Sequence, residues 1–250
     1  MRLEFARVVF FDSAYYTAVQ TARMYQAMGP LKTRSMHLYP WQWRETYTPH
    51  GIILLDSFGM AGGYGYGQAS YMRDVLQYLW WRTGLLYVAL QKNGAGMAEL
   101  HDSAEEAVEA FGIVSSALII SMGNDVFRPA TRGVYDELIV TQTIRQAAAL
   151  KKYVQQHLAP RCLFVYGGSS LTWSYDATAP LGPIYDRYCR AIIGGLLRQG
   201  ILTTSGRRVL GRLRVVDFIG HVHGEALNVV FEAYVLWARF VSESAPAAKL

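Results

Sequence analysis

Charge is scarce in this chain of 250 residues. Only 17% are Asp, Glu, Lys or Arg, against 52% hydrophobic and 13% aromatic. So little charge beside so much apolar material excludes a disordered or acidic-tail protein and allows a sizeable core. Cysteine is nearly absent. Cys162 opens an apolar run and Cys189 sits inside a helical pattern, so both read as small buried hydrophobes rather than a bridge. Long apolar runs are missing too. Nothing approaches the roughly eighteen uncharged residues of a membrane span, and the opening MRLEFARVVFFDSAYY is too brief an apolar stretch for a signal peptide. The resulting expectation is a soluble protein of the cytoplasm or another intracellular compartment.

Several binding signatures are also missing. The net charge is +5, yet its densest cluster, Arg207, Arg208, Arg212 and Arg214, is interleaved with Val209, Leu210 and Leu213 and reads as a solvated face. A nucleic-acid partner is therefore not expected. No Cys/His/Asp grouping has zinc spacing, and His221 with His223 is too small a cluster to specify a metal. The stretch GGYGYG at 62–67 follows a strand pattern and precedes a helix. It does not complete Gly-x-Gly-x-x-Gly, because the third position falls on Gln68 or Ser70, so no cofactor is implied. The Gly-x-Ser-x-Gly elbow is absent. Nothing in the sequence indicates an oligomeric state.

What is present is a recurring unit: an apolar run, a Gly/Ser/Asp turn, then a helical pattern. The runs are Val8–Phe11, Ile52–Leu55, Leu85–Leu90, Ala117–Ile120, Leu163–Tyr166 and Leu213–Val216. They lack polar alternation, which suits strands buried on both faces. The helical patterns are Ser13–Met28, Gln68–Arg82, a segment with a capping-box spacing at Ser103–Glu106 that stops at Gly112, Val134–Leu158 stopped by Pro160, Ile184–Arg198, and Glu225–Val241. Strand–helix alternation predicts an α/β fold: a doubly wound, mainly parallel sheet with right-handed crossovers and helices on both faces. Residues 30–50, rich in Pro, Trp and Tyr, break the pattern and read as a long ordered loop. Residues 1–50 are thus expected to form an N-terminal βα extension packed on the core, with 51–250 as the main domain of one compact unit.

Ligands of such sheets bind beyond the carboxyl ends of the strands, and four segments there fit one chemical scheme. They are Asp56-Ser57-Phe58-Gly59, Asn93-Gly94-Ala95-Gly96, Ser121-Met122-Gly123-Asn124-Asp125, and Asp217 through His221 to His223. The scheme is acyl transfer, in which a serine hydroxyl needs an imidazole to take its proton and the tetrahedral intermediate needs donors for its oxyanion. Ser57 falls on a strand-to-helix turn and offers a hydroxyl and a backbone N–H. Gly96 permits close backbone approach. Asn124 offers an amide NH2, and His223, before the last helix, offers an imidazole.

In order and spacing these segments resemble the four blocks of the SGNH, or GDSL, esterases and lipases: Gly-Asp-Ser, an isolated Gly, Gly-x-Asn-Asp and Asp-x-x-His. The intervals are 39 residues from Ser57 to Gly96, 28 to Asn124 and 99 to His223. The resemblance covers roughly residues 50–242. It implies a flavodoxin-like sheet of five or six strands, Ser57 as nucleophile, Gly96 and Asn124 as oxyanion donors, His223 as general base, and an ester or acylated small molecule as substrate. The chain departs from the pattern in three places. Leu55 replaces the glycine before Asp56, Gly123 directly precedes Asn124, and Gly220 stands where the family has its aspartate. Asp217, six residues before His223, is the nearest carboxylate to substitute. Losing an orienting aspartate from a serine triad costs about 10⁴ in rate, so a catalytically inactive domain used for binding or assembly is the rival expectation.

Each residue also has a structural explanation. Asp56-Ser57 can cap a helix, as Asp12-Ser13, which also follows an apolar run, is expected to do. Gly96 can be a turn glycine, Asn124-Asp125 an Asx-turn, and His221 and His223 packing histidines. His221 is a second candidate base. Only the four segments together, in order and at strand ends, favour chemistry.

Overall fold

The computed structural model describes residues 36–40, 48–56, 76, 77, 80, 84–92, 94–167, 181–204, 233, 236, 237 and 240. Among the described residues, six strands form one sheet: β1 (Met36–Leu38), β2 (Gly51–Leu55), β3 (Tyr87–Gln91), β4 (Ser116–Ser121), β5 (Arg161–Tyr166) and β6 (Leu202–Thr203), in the order β1-β3-β2-β4-β5-β6. The strands β2 to β6 pair in parallel, and β1 pairs antiparallel with the edge of β3. Numbered from β2, the parallel strands run 2-1-3-4-5, the flavodoxin-like order. This is the α/β sheet that the apolar runs predict. Every residue of β2, β3 and β4 is buried. Successive side chains point to opposite faces, so both faces are covered.

Four helices are described in full: α1 (Met97–Phe111), α2 (Asn124–Thr131), α3 (Glu137–Tyr153) and α4 (Leu181–Arg198). Their buried residues follow helical spacing, as in Val140, Thr143, Ala147 and Leu150 of α3, continued by Val154 and Leu158 through a π-helical turn. Asp136 caps α3 by accepting from the Leu138 N–H at 2.8 Å. Helices α1, α3 and α4 touch in sequence and make one layer. Positions 233, 236, 237 and 240 are also helical. There Trp237 meets the Tyr87 ring edge-on at 5.6 Å, and the Phe240 carbonyl accepts from Arg161 at 2.9 Å. Among the described residues no helix is long and apolar enough to cross a membrane.

Two sequence expectations are corrected, and one strand is additional to those expected. Residues 36–38 are a strand rather than part of a loop: they satisfy the open backbone edge of β3, and three residues are too few to show a period. The strand beside β5 is Leu202–Thr203, immediately after α4, and its brevity hid it. Ser103 does not start a helix. Its hydroxyl donates to the Glu99 carbonyl at 3.1 Å in the middle of α1, and the start lies at Gly96. The expected strands Val8–Phe11 and Leu213–Val216, the helix 13–28 and the segment 207–214 lie outside the described residues, as does most of residues 1–50.

Both cysteines are buried and free, and burial pushes each thiol up to about 12, leaving almost no thiolate at neutral pH. The native protein is therefore expected to resist a disulfide-exchange reagent at pH 8 and to release both thiols in denaturant. Fast titration of either thiol without denaturant would contradict this packing.

Candidate functional site

Strand order reverses at β2: the chain goes from β2 to β3 on one side, then crosses to β4 on the other. A crevice beyond the carboxyl ends of these strands follows from that reversal, and the described part of the candidate site lies there. Asp56, the first residue after β2, is wholly buried. Its Oδ2 accepts from the Met122 N–H at 2.9 Å and from Asn124 Nδ2 at 3.2 Å. The same Nδ2 donates to the Ala95 carbonyl at 2.9 Å. The tips of β2, β3 and β4 are thus tied through one amide group, which brings Asn124 to Asp56 and to Ala95, the neighbour of Gly96.

The backbone that presents Asn124 is shaped by Gly123, whose φ of 85° and ψ of 34° are left-handed. A side chain there would strain the backbone and overlap the Tyr166 hydroxyl. Helix α2 starts at once, with the Val126 and Phe127 N–H groups donating to the Gly123 carbonyl at 3.0 and 2.9 Å. Asn124 therefore occupies the first turn of a helix, not a free Asx-turn.

Gly96 is the N-cap of α1 and brings no side chain to cap it. The cap comes from elsewhere: the Asp125 carboxylate receives the Met97 N–H, at 3.1 and 3.0 Å from its two oxygens. It occupies the space that a Cβ on residue 96 would need. The Gly96 N–H itself donates to Glu99 Oε2 at 2.9 Å. Arg128 lies alongside, with Nη1 at 3.7 Å from Glu99 Oε1 and its guanidinium donating to the Gly94 carbonyl. Lys92 is buried beside the cluster and pairs with Asp102 at 3.1 Å.

Sequence reasoning missed the roles of Glu99, Asp125 and Arg128. Only the Asn124-Asp125 pair gave a signal, since the partners of Asp125 lie 28 residues away. Ser57, Asp217, His221, His223, Asn93 and the Gly62–Gly67 turn lie outside the described residues. Among the described residues, no three His, Cys, Asp or Glu side chains are placed to hold a metal.

Burial raises the Asp125 carboxyl above its ordinary 3.8, and Glu99 adds to the effect, while the Met97 N–H and Arg128 pull the other way. A raised folded-state value means that stability is lost as the carboxyl ionises. The wild type is therefore expected to lose stability relative to Asp125→Asn as pH climbs from 3.8 towards neutrality. Urea unfolding of both proteins at pH 4 and pH 7 measures it, and a difference that does not change between the two refutes the sign.

No family model and no curated protein matches the chain. Among solved structures it is similar to a catalytic mutant of an acetylxylan esterase from Geobacillus stearothermophilus, at 15% identity and a TM-score of 0.48, over 76% of this chain and 96% of that one. It is also similar to the acetyl xylan esterase AlAXEase, at 16% identity and a TM-score of 0.47, over 76% of this chain and 98% of that one.

Proposed function

We propose that the chain is a serine hydrolase of the SGNH/GDSL type that cleaves a carboxylic ester of small or medium acyl size through an acyl-enzyme intermediate. The observation that carries the proposal is the Asn124 amide, which hydrogen-bonds both to Asp56, next to Ser57, and to the carbonyl of Ala95, next to Gly96. Three of the four sequence blocks thereby meet at the strand tips where such sheets bind ligands.

In this reading the Ser57 hydroxyl attacks the acyl carbonyl carbon while His223 takes its proton, with Asp217 orienting the imidazole. The carbonyl oxygen becomes an oxyanion received by the N–H groups of Ser57 and Gly96 and by the Asn124 amide. Collapse expels the alcohol, which recovers the proton from His223. Water then adds to the acyl-enzyme with His223 again as base, releasing the acid and restoring Ser57. Gly96 and Asn124 serve only after Glu99 lets go of the Gly96 N–H and Asp56 or Ala95 lets go of one hydrogen of the Asn124 amide, and Arg128, 3.7 Å from the other Glu99 oxygen, is placed to take the carboxylate charge.

A second reading, an inactive SGNH-fold domain serving as a binding or assembly module, is favoured by the donors already in use. The Gly96 N–H is held by Glu99, and Asn124 Nδ2 by Asp56 and Ala95. A fluorophosphonate probe and a p-nitrophenyl acetate assay separate the two. The hydrolase is expected to label and turn over, Ser57→Ala to do neither, and Asn124→Ala to lose about 10²–10³ in kcat. Equal labelling of wild type and Ser57→Ala, or a folded wild type that neither labels nor turns over, rules out the hydrolase.

A further inference from the structure

Beneath the loop that carries Asn124 lies a buried set of polar groups that the proposed mechanism does not use. Tyr166, the last residue of β5, and Tyr185, Tyr188 and Cys189 of α4 are all essentially inaccessible to solvent. Tyr185 Oη donates to the Met122 carbonyl at 3.2 Å, and its ring packs edge-on to Phe127 at 6.2 Å. One side chain thus touches both sides of Asn124, two residues before it and three after. Tyr166 Oη closes the space beside Gly123.

Met122 is held at both of its polar backbone atoms: its N–H by Asp56 from one side and its carbonyl by Tyr185 from the other. The next residue is Gly123, whose left-handed backbone sets the direction in which Asn124 leaves. A glycine gives little resistance to rotation on its own, so the direction depends on what grips its neighbours. Asp56 also holds the Asn124 amide directly, whereas Tyr185 acts only through the backbone.

We propose that Tyr185 is a positioning residue for the oxyanion donor Asn124, acting through the Met122 carbonyl and the Gly123 hinge. The proposal rests on the serine-hydrolase reading for its kinetic consequence, but its structural consequence is independent of activity. Tyr188 provides a matched control. It is the same residue type, equally buried and three residues along the same helix, and its hydroxyl also bonds a backbone group, accepting from the Asp136 N–H at 2.8 Å. Asp136 caps α3 and does not lead to Asn124.

The test compares Tyr185→Phe with Tyr188→Phe in the full chain. Each loses one buried hydrogen bond, and each is expected to lower Tm by about 2–4 °C. Only Tyr185→Phe is expected to slow fluorophosphonate labelling and kcat, by about tenfold with KM nearly unchanged. In an Asn124→Ala background the same Phe substitution is expected to cost nothing further in rate, because the group that it positions is gone. In ¹⁵N–¹H spectra the Asn124 side-chain amide pair, assigned by its loss in Asn124→Ala, is expected to shift or broaden in Tyr185→Phe and stay in place in Tyr188→Phe. Equal behaviour of the two variants, in rate or in the amide signal, overturns the proposal. A folded wild type that never labels overturns the hydrolase reading instead, and the amide signal then still decides whether Tyr185 orients Asn124.

Discussion

A carboxyl group with no access to solvent is costly unless its hydrogen bonds are met, and Asp56 is such a group. Its partners, the Met122 N–H and the Asn124 amide, both come from the end of β4, 66 and 68 residues further along the chain. The geometry at the strand tips depends on this arrangement. With Asp56 satisfied in this way, the turn after β4 passes through a left-handed Gly123 and α2 starts at Asn124. The Ala95 carbonyl, drawn onto the same amide, adds the end of β3 to the assembly.

Next to it, the start of α1 is completed by the following βα unit. A helix whose N-cap is glycine has orphan N–H groups and a positive dipole end, and Asp125 and Glu99 satisfy them from two directions. The missing side chain of Gly96 makes room for the Asp125 carboxylate, and its N–H donates to an acceptor. The acceptor in this structure is a carboxylate of the protein itself. In the hydrolase reading it stands where a developing oxyanion has to bind, so the charge balance among Glu99, Asp125 and Arg128 bears directly on the proposed chemistry.

Much of the fold was legible because buried parallel strands carry a simple signature. The runs Ile52–Leu55, Ala117–Ile120 and Leu163–Tyr166 fall inside β2, β4 and β5, and the stop signals at Gly112 and Pro160 fall just past their helices. What escaped was short or borrowed. Strand β1 is three residues that hydrogen-bond to an edge, β6 is two residues, and Ser103 imitates a cap while its hydroxyl bonds back along α1. Within the site, Asp56, Gly96 and Asn124 were marked by their positions after apolar runs. The partner of Asp125 and the role of Tyr185 were not, because a carboxylate that caps a distant helix and a tyrosine that grips a distant carbonyl look like any others in sequence.

The sequence by itself determined the class of sheet, the strands that form its centre, and that Asp56 and Asn124 follow two of them, because burial on two faces and helical periodicity are local patterns. Only the tertiary structure decided which donors are already taken, what caps α1, and what holds the Asn124 turn in place. Apart from the local Gly96–Glu99 bond, those are pairings between residues 28 to 68 positions apart, and hydrogen-bond partners at such separations follow from the sheet order rather than from any pattern along the chain.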